Sequence, residues 1–238
     1  MEEEKKDFLE CERMWVFAVL ICAGGYLGAF TYSIRGGVFC NAQSANFVLF
    51  SMAVGNLNFK KALYYFIPMS AYLLGAVISE ICATSNRKNK VFRWETICVG
   101  LEMIAIIILG FLPETAPYQI SQVTINFICS MQYNTFRQAQ NIPMATVFCT
   151  NHLRQTGIHI VKWMKRKEDS ASMRRALCHV GMLFMFVIGG IISTVLCKYF
   201  LGKAIWGAAI LMLVVFIDLM KADLKKEKLI LDEVLEKH

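Results

Sequence analysis

An all-α integral membrane protein is the fold class this sequence predicts, and three observations carry the prediction. Of 238 residues, 56% are hydrophobic and 18% charged, whereas soluble chains average under half apolar with about a quarter charged. The charges gather at the ends and in short loops, and the apolar runs between them reach membrane-crossing length. Two of those runs are interrupted by small, polar, uncharged residues. Such interruptions are costly in lipid and are expected only where protein or a water-filled cavity surrounds them.

Taken in order, residues 1–13 form a charged N-terminal segment, and the first apolar run covers 14–34. Within it Gly24 and Gly28 make a G-x-x-x-G face on which another helix can pack closely. The run breaks at Gly36-Gly37, continues through the polar stretch 41–46, and turns apolar again over 47–57, too short to cross alone. Longer runs follow at 62–84, which tolerates Pro68, at 95–112 and at 118–136. A second break occupies 137–151 and leads into HLRQTGIHIVKWM; spans are then expected at 178–199 and 203–220. The tail, 221–238, alternates charged and apolar residues as an amphipathic helix does.

Charge decides between eight crossings and six. Cytoplasmic loops carry an excess of Lys and Arg. With eight spans, the basic loop at 87–93 faces away from both termini. If the segments at 41–57 and 142–158 instead enter and leave on one side, the N-terminus, the loops at 87–93 and 162–175, and the tail all lie inside. The layout is then about six transmembrane helices plus two short broken, re-entrant segments. It divides the chain into a first membrane repeat, 14–115, and a second, 116–220. A shift of 105 lays 14–46 on 119–151 and Asn46 on Asn151, which makes an inverted 3+3 repeat the expectation.

Other classes fall away. The net charge of +7 borders apolar runs, so nucleic acid is not the expected partner; the lipid bilayer is. Nine cysteines, without a C-x-x-C pair, read as dispersed reduced thiols. His152, His159 and His179 show no metal-ligand spacing with a carboxylate, and no nucleophile–base order or phosphate-binding loop is visible. Neither enzyme, cofactor nor metal is expected. The tryptophans at run ends fit interface belts.

At its two broken segments the chain resembles the YoaK family, bacterial integral membrane proteins carrying a domain of unknown function. The resemblance rests on Gly24-Gly25-Tyr26-Leu27-Gly28-Ala29-Phe30-Thr31, Gly36-Gly37-Val38-Phe39 and Ser44-Ala45-Asn46. In the second half it rests on Ser130 to Arg137, Pro143-Met144-Ala145-Thr146 and Thr150-Asn151. It covers nearly the whole chain and implies about six spans in the bacterial plasma membrane, without an established activity. The chain departs from that family's pattern at Gly28, where an acidic residue is usual, at Ala45, where a glycine is, and around Tyr133-Asn134.

The expected function is a small-solute transporter or channel-like protein. Gln43, Ser44, Asn46, Gln132, Asn134, Thr150 and Asn151 are expected to line a polar path, with Glu102 and Arg137 pairing to tune its charge. Arg35, Arg137 and Arg154 beside the breaks, with the positive ends of broken helices, favour an anionic or polar solute. The glycine faces would suit a homodimer. The competing expectation is a membrane scaffold that recruits partners through its basic loop and charged tail.

Overall fold

The computed structural model describes residues 8–86, 91–165 and 170–227. Part of each basic loop and most of the charged tail, on which the scaffold reading and the amphipathic tail helix rest, lie outside the described residues. The protein is all-helical: α1 (Met14–Ile34), α2 (Gln43–Gly55), α3 (Phe59–Asn86), α4 (Trp94–Leu109), α5 (Tyr118–Thr135), α6 (Thr150–Lys165), α7 (Ser170–Phe200) and α8 (Trp206–Lys221). Strands β1 (Gln138–Ala139) and β2 (Ile142–Pro143) pair antiparallel. Gln140 and Asn141 between them take φ of 49° and 62°, the two positive values of a tight hairpin turn.

Three helical stretches are long and apolar enough to cross a membrane: Met14–Ile34, Phe59–Asn86, and Ser170–Lys225, in which a 3-10 turn joins α7 to α8. They differ in burial. The most apolar stretch of α1 is 72% buried within the protein, that of α3 28% and that of α7–α8 22%. A helix apolar all round belongs in a core, and Phe17, Leu20, Ile21, Tyr26, Leu27 and Phe30 of α1 are each at most 1% exposed. On α3 and α7, Leu63, Leu73, Phe184 and Ile191 face outward, as residues on a lipid-facing surface do.

The helices pack as α1 on α7, α3 on α5, α2 on α3, α6 on α7 and α4 on α8, with α4 also touching α5, and α8 touching α1. Glycines set the closest approaches. A β-carbon at Gly25 would run into the Phe186 carbonyl of α7, and one at Gly189 of α7 into the Cys22 carbonyl of α1. On the other pair, a β-carbon at Gly75 of α3 would strike the Phe127 carbonyl of α5. Lipid tails are as apolar as leucine, so such backbone-to-backbone packing, rather than burial from water, holds helices together in a bilayer.

Both interruptions return to the middle of α1, from its opposite ends. After α1, Gly36 and Gly37 at positive φ turn the chain back, and Asn41 donates to the Gly24 carbonyl at 3.0 Å. The other return starts beside the first residues of α1, where the Gln140 N–H donates to the Glu12 carbonyl at 2.9 Å. It reaches Thr146 and Val147, which lie against Gly24. The second short helix begins and ends later than the segment 142–158 read from hydropathy, because 136–149 is hairpin and irregular backbone. Helix α7 likewise starts well before 178, since Arg174 and Arg175 interrupt apolarity but not helical hydrogen bonding.

These contacts predict a contrast within one helix. Gly189→Ala should lower stability by about 1–3 kcal/mol, since overpacking a close contact forces backbone to shift. Gly181→Ala, with nothing within 4 Å of its new methyl, should be neutral or gain about 0.5–1 kcal/mol. Thermal unfolding of the purified variants in detergent checks both.

Candidate functional site

The two returning segments hold themselves in place with side chains that satisfy backbone. Asn46, fully buried, accepts from the Phe39 N–H at 3.1 Å and donates to the Phe39 carbonyl at 2.6 Å. Gln43 donates to Asn126 Oδ1 of α5 at 2.7 Å and accepts from Asn46 Nδ2, and Asn126 donates to the Gln122 carbonyl. This chain of amides ties the start of α2 to α5. On the other return, Gln132 donates to the Leu20 and Thr146 carbonyls at 3.4 and 3.3 Å. His152 meets the Ala145 carbonyl through Nε2 at 2.7 Å, which requires a proton on that nitrogen.

Between the starts of α2 and α6 lies one cavity of about 960 Å³. Gln43 and Ser44 line it from α2, and Thr150, Asn151 and Arg154 from α6. Its remaining wall is made by Gly25, Gly28, Ala29 and Ser33 of α1, by Asn41 and Cys149 just ahead of α2 and α6, by Gly190 of α7, and by aromatic and aliphatic side chains. Neither helix carries an acidic residue in its first turn, and Ala42, the cap of α2, offers no side-chain acceptor. Both positive helix ends are thus uncompensated by local charge. Arg154 donates to Asn151 Oδ1 at 3.2 Å.

Of the residues expected on a path, Gln43, Ser44, Thr150 and Asn151 line this cavity; Asn46, Gln132 and Asn134 do not. Asn46 and Gln132 are turned to backbone instead. Asn134 points to the protein's edge, where its amide donates to Glu80 at 3.1 Å and a smaller cavity of about 370 Å³ opens on the other side of Asn151. Gly24 and Gly28, expected as a helix-packing face, receive loops: a β-carbon at Gly24 would lie 2.8 Å from the Thr146 carbonyl, one at Gly28 2.6 Å from the Asn41 amide.

The expected Glu102–Arg137 pair does not form. Arg137, just beyond the end of α5, donates to Glu80 at 2.6 Å, both side chains being more than half exposed. Glu80 is in the last turns of α3, and α3 runs parallel to α5, with Tyr64 against Gln122, Gly75 against Phe127 and Ser79 against Thr135, so the two residues come level. Glu102 is two turns into α4, 1% exposed, and accepts from the Cys98 thiol at 3.3 Å. Arg35 is also tied, to Glu114 at 3.3 Å, and Glu114 takes the Gly202 N–H at 2.7 Å.

Two features lay outside the sequence reading. The first is a histidine cluster: His152 Nδ1 and His179 Nδ1 are 3.0 Å apart, and His159 stacks on His179 at 6.1 Å between centroids. With His152 protonated at Nε2, its Nδ1 accepts from His179. The seven-residue spacing of His152 and His159 was the visible signal; His179 arrives from another helix. The second is an ionic clasp at the start of α4. Arg93 binds Asp223 at 2.9 Å and pairs with Glu227; Thr96 donates to Asp223 at 2.6 Å, and the Glu10 N–H to Glu227 at 2.7 Å. Beside it, burial and the nearby Glu95 carboxylate push the Cys11 thiol above its ordinary range. No metal-competent group of His, Cys, Asp and Glu occurs among the described residues.

Residues 16–217, well over half the chain, match the family described as Protein of unknown function (DUF1275). The chain belongs to that family. The YoaK family is a member of DUF1275, so the resemblance read from the two broken segments holds. No curated protein and no solved structure matches this DUF1275 chain.

Replacing His152 with Phe removes the partner of the buried Ala145 carbonyl. The expected loss is about 1–3 kcal/mol, the cost of a buried unsatisfied polar group. Asn46→Leu strands two backbone groups at Phe39 and should cost more. Both are measured by thermal unfolding, with Asn134→Leu, at the exposed edge, as the near-neutral reference.

Proposed function

We propose that this protein is a six-span membrane protein of the bacterial plasma membrane, with both termini cytoplasmic, that passes a small solute between two re-entrant half-helices. The observation that carries the reading is a cavity lined by the starts of both α2 and α6. Broken helices whose N-termini meet at a cavity are a recurring way to build a solute site at mid-membrane, because free N–H groups and dipole ends replace water around the solute. The cavity lies beside Gly25 and Gly28, about halfway along α1. In this reading α4 and α5, which are shorter or more polar, also cross, shielded by α3 and α8.

An inverted repeat supports the same reading. The α1–α7 pair answers the α3–α5 pair, and α2–α3 answers α6–α7. Gly189 abuts the Cys22 carbonyl and Gly75 the Phe127 carbonyl; Cys22 and Phe127 are related by the 105-residue shift that lays Asn46 on Asn151. The two halves then offer the cavity to opposite faces in turn, the usual mode of inverted-repeat transporters.

The test uses lining positions that hold no backbone. In protein reconstituted into liposomes, Ser44→Phe and Gly190→Phe should cut flux of small anions or neutral metabolites by on the order of tenfold, because a narrowed path excludes its solute. Ser51→Phe, on the outer face of α2, should leave flux unchanged. Wild-type flux through both lining variants removes the path.

A further inference from the structure

We propose that the cavity between α2 and α6 binds an organic monoanion: one carboxylate or similarly charged acid group on an aromatic or aliphatic body. The proposal rests on the reading of that cavity as the solute site and narrows what it takes.

Charge gives the first part. Among the described residues lining the cavity, Arg154 is the only one with a formal charge, and no Asp or Glu lines it. Arg154 is the fifth residue of α6, near its N-terminus, where a cation works against the helix dipole rather than with it. The start of α2 faces the same space, also without an acid. Three positive contributions therefore converge with no local anion. A cationic solute would meet them all unfavourably; a guanidinium with flanking N–H and amide donors suits one planar carboxylate.

The walls give the second part. Tyr32 stacks on Phe39 with centroids 4.3 Å apart and 16° between planes, and Tyr72, Phe148, Phe186 and Val187 add further apolar surface. A bare inorganic anion would leave this surface facing water. At about 960 Å³, the space is at the upper end of roughly 300–1,000 Å³ for sites that hold drug-sized ligands, which are mostly apolar with few polar groups. Arg154 and the polar side chains of Gln43, Ser44, Thr150 and Asn151 sit at the two helix starts, so the acid points there and the body lies along the aromatic wall. A soluble acid and an anionic lipid share this chemistry.

Calorimetry on the purified protein in phosphatidylcholine nanodiscs separates the possibilities, with naphthalene-1-acetate and its neutral amide as probes. The wild type should bind the carboxylate about tenfold more tightly than the amide, since charge-assisted hydrogen bonds are roughly twice as strong as neutral ones. Arg154→Gln should bring the two affinities together, and Arg154→Lys should keep the preference. Val187→Trp, which fills the wall, should weaken both probes. If the natural occupant is a lipid, phosphatidylglycerol nanodiscs should suppress carboxylate binding by the wild type. Equal affinities in the wild type, a preference that survives Arg154→Gln, inorganic phosphate binding as tightly, or no binding of either probe in phosphatidylcholine would each overturn the proposal. Charge-selective binding without liposome flux would keep the anion site and remove transport. Flux of neutral solutes without probe binding would do the reverse.

Discussion

The notch that glycines cut into the middle of α1 is the constraint on which the rest of the structure depends. Gly24 and Gly28 leave room for two segments of backbone beside a helix, and Gly25 lets α7 close over the adjacent face. A side chain at any of the three would meet backbone or the Asn41 amide at less than ordinary contact distance. Because the notch lies at mid-length, both returning segments can end there, so α2 and α6 start beside one another instead of at opposite edges. The cavity exists because the helix between them has almost no side chains on that face.

Irregular backbone at such a depth is stable only when each of its polar groups finds a partner. The two returns solve this with different chemistry. The first uses carboxamides, which donate and accept at once, and Asn46 pairs with both groups of Phe39 in this way. The second uses a glutamine and a histidine, and the histidine is itself oriented by a second histidine from α7. The same residue types that a solute path would require are therefore also those that the backbone requires, and some serve only the backbone.

That double use explains what was legible in the sequence and what was not. Apolar runs bounded by Arg13 and Arg35 delimit α1 to the residue, because a charge at each end and glycine beyond leave the helix no room to extend. The two breaks stand out because Asn, Gln, Ser and Thr between apolar runs are conspicuous, and the four that line the cavity lie at helix starts. Which of them face the cavity was not legible. An amide beside a backbone break bonds that backbone as readily as a ligand: Gln43 and Asn46, three residues apart, both bond backbone, and only Gln43 also lines the cavity. The partner of Arg137 was out of reach for another reason. Glu80 and Glu102 both sit in apolar helices, and only the parallel alignment of α3 with α5 brings Glu80 to the level of Arg137. The His152–His179 pair likewise depends on α6 packing against α7, which no spacing within either helix encodes.

The partners of α1 come late in the chain. Its Cys22 carbonyl and its glycines Gly24 and Gly25 are covered by Thr146, Val147, Phe186 and Gly189, and the clasp beside its first residues closes only when Glu227 reaches Glu10, 217 positions away. Helices are made in order, so α1 must wait in the bilayer with Gly24 and Gly25 uncovered until most of the protein has been synthesised. Closing so long a loop costs entropy that no nearby contact offsets beforehand. Assembly of this protein is therefore governed by its last third: a chain halted before α7 holds an inserted first helix whose Gly25 face has nothing to cover it.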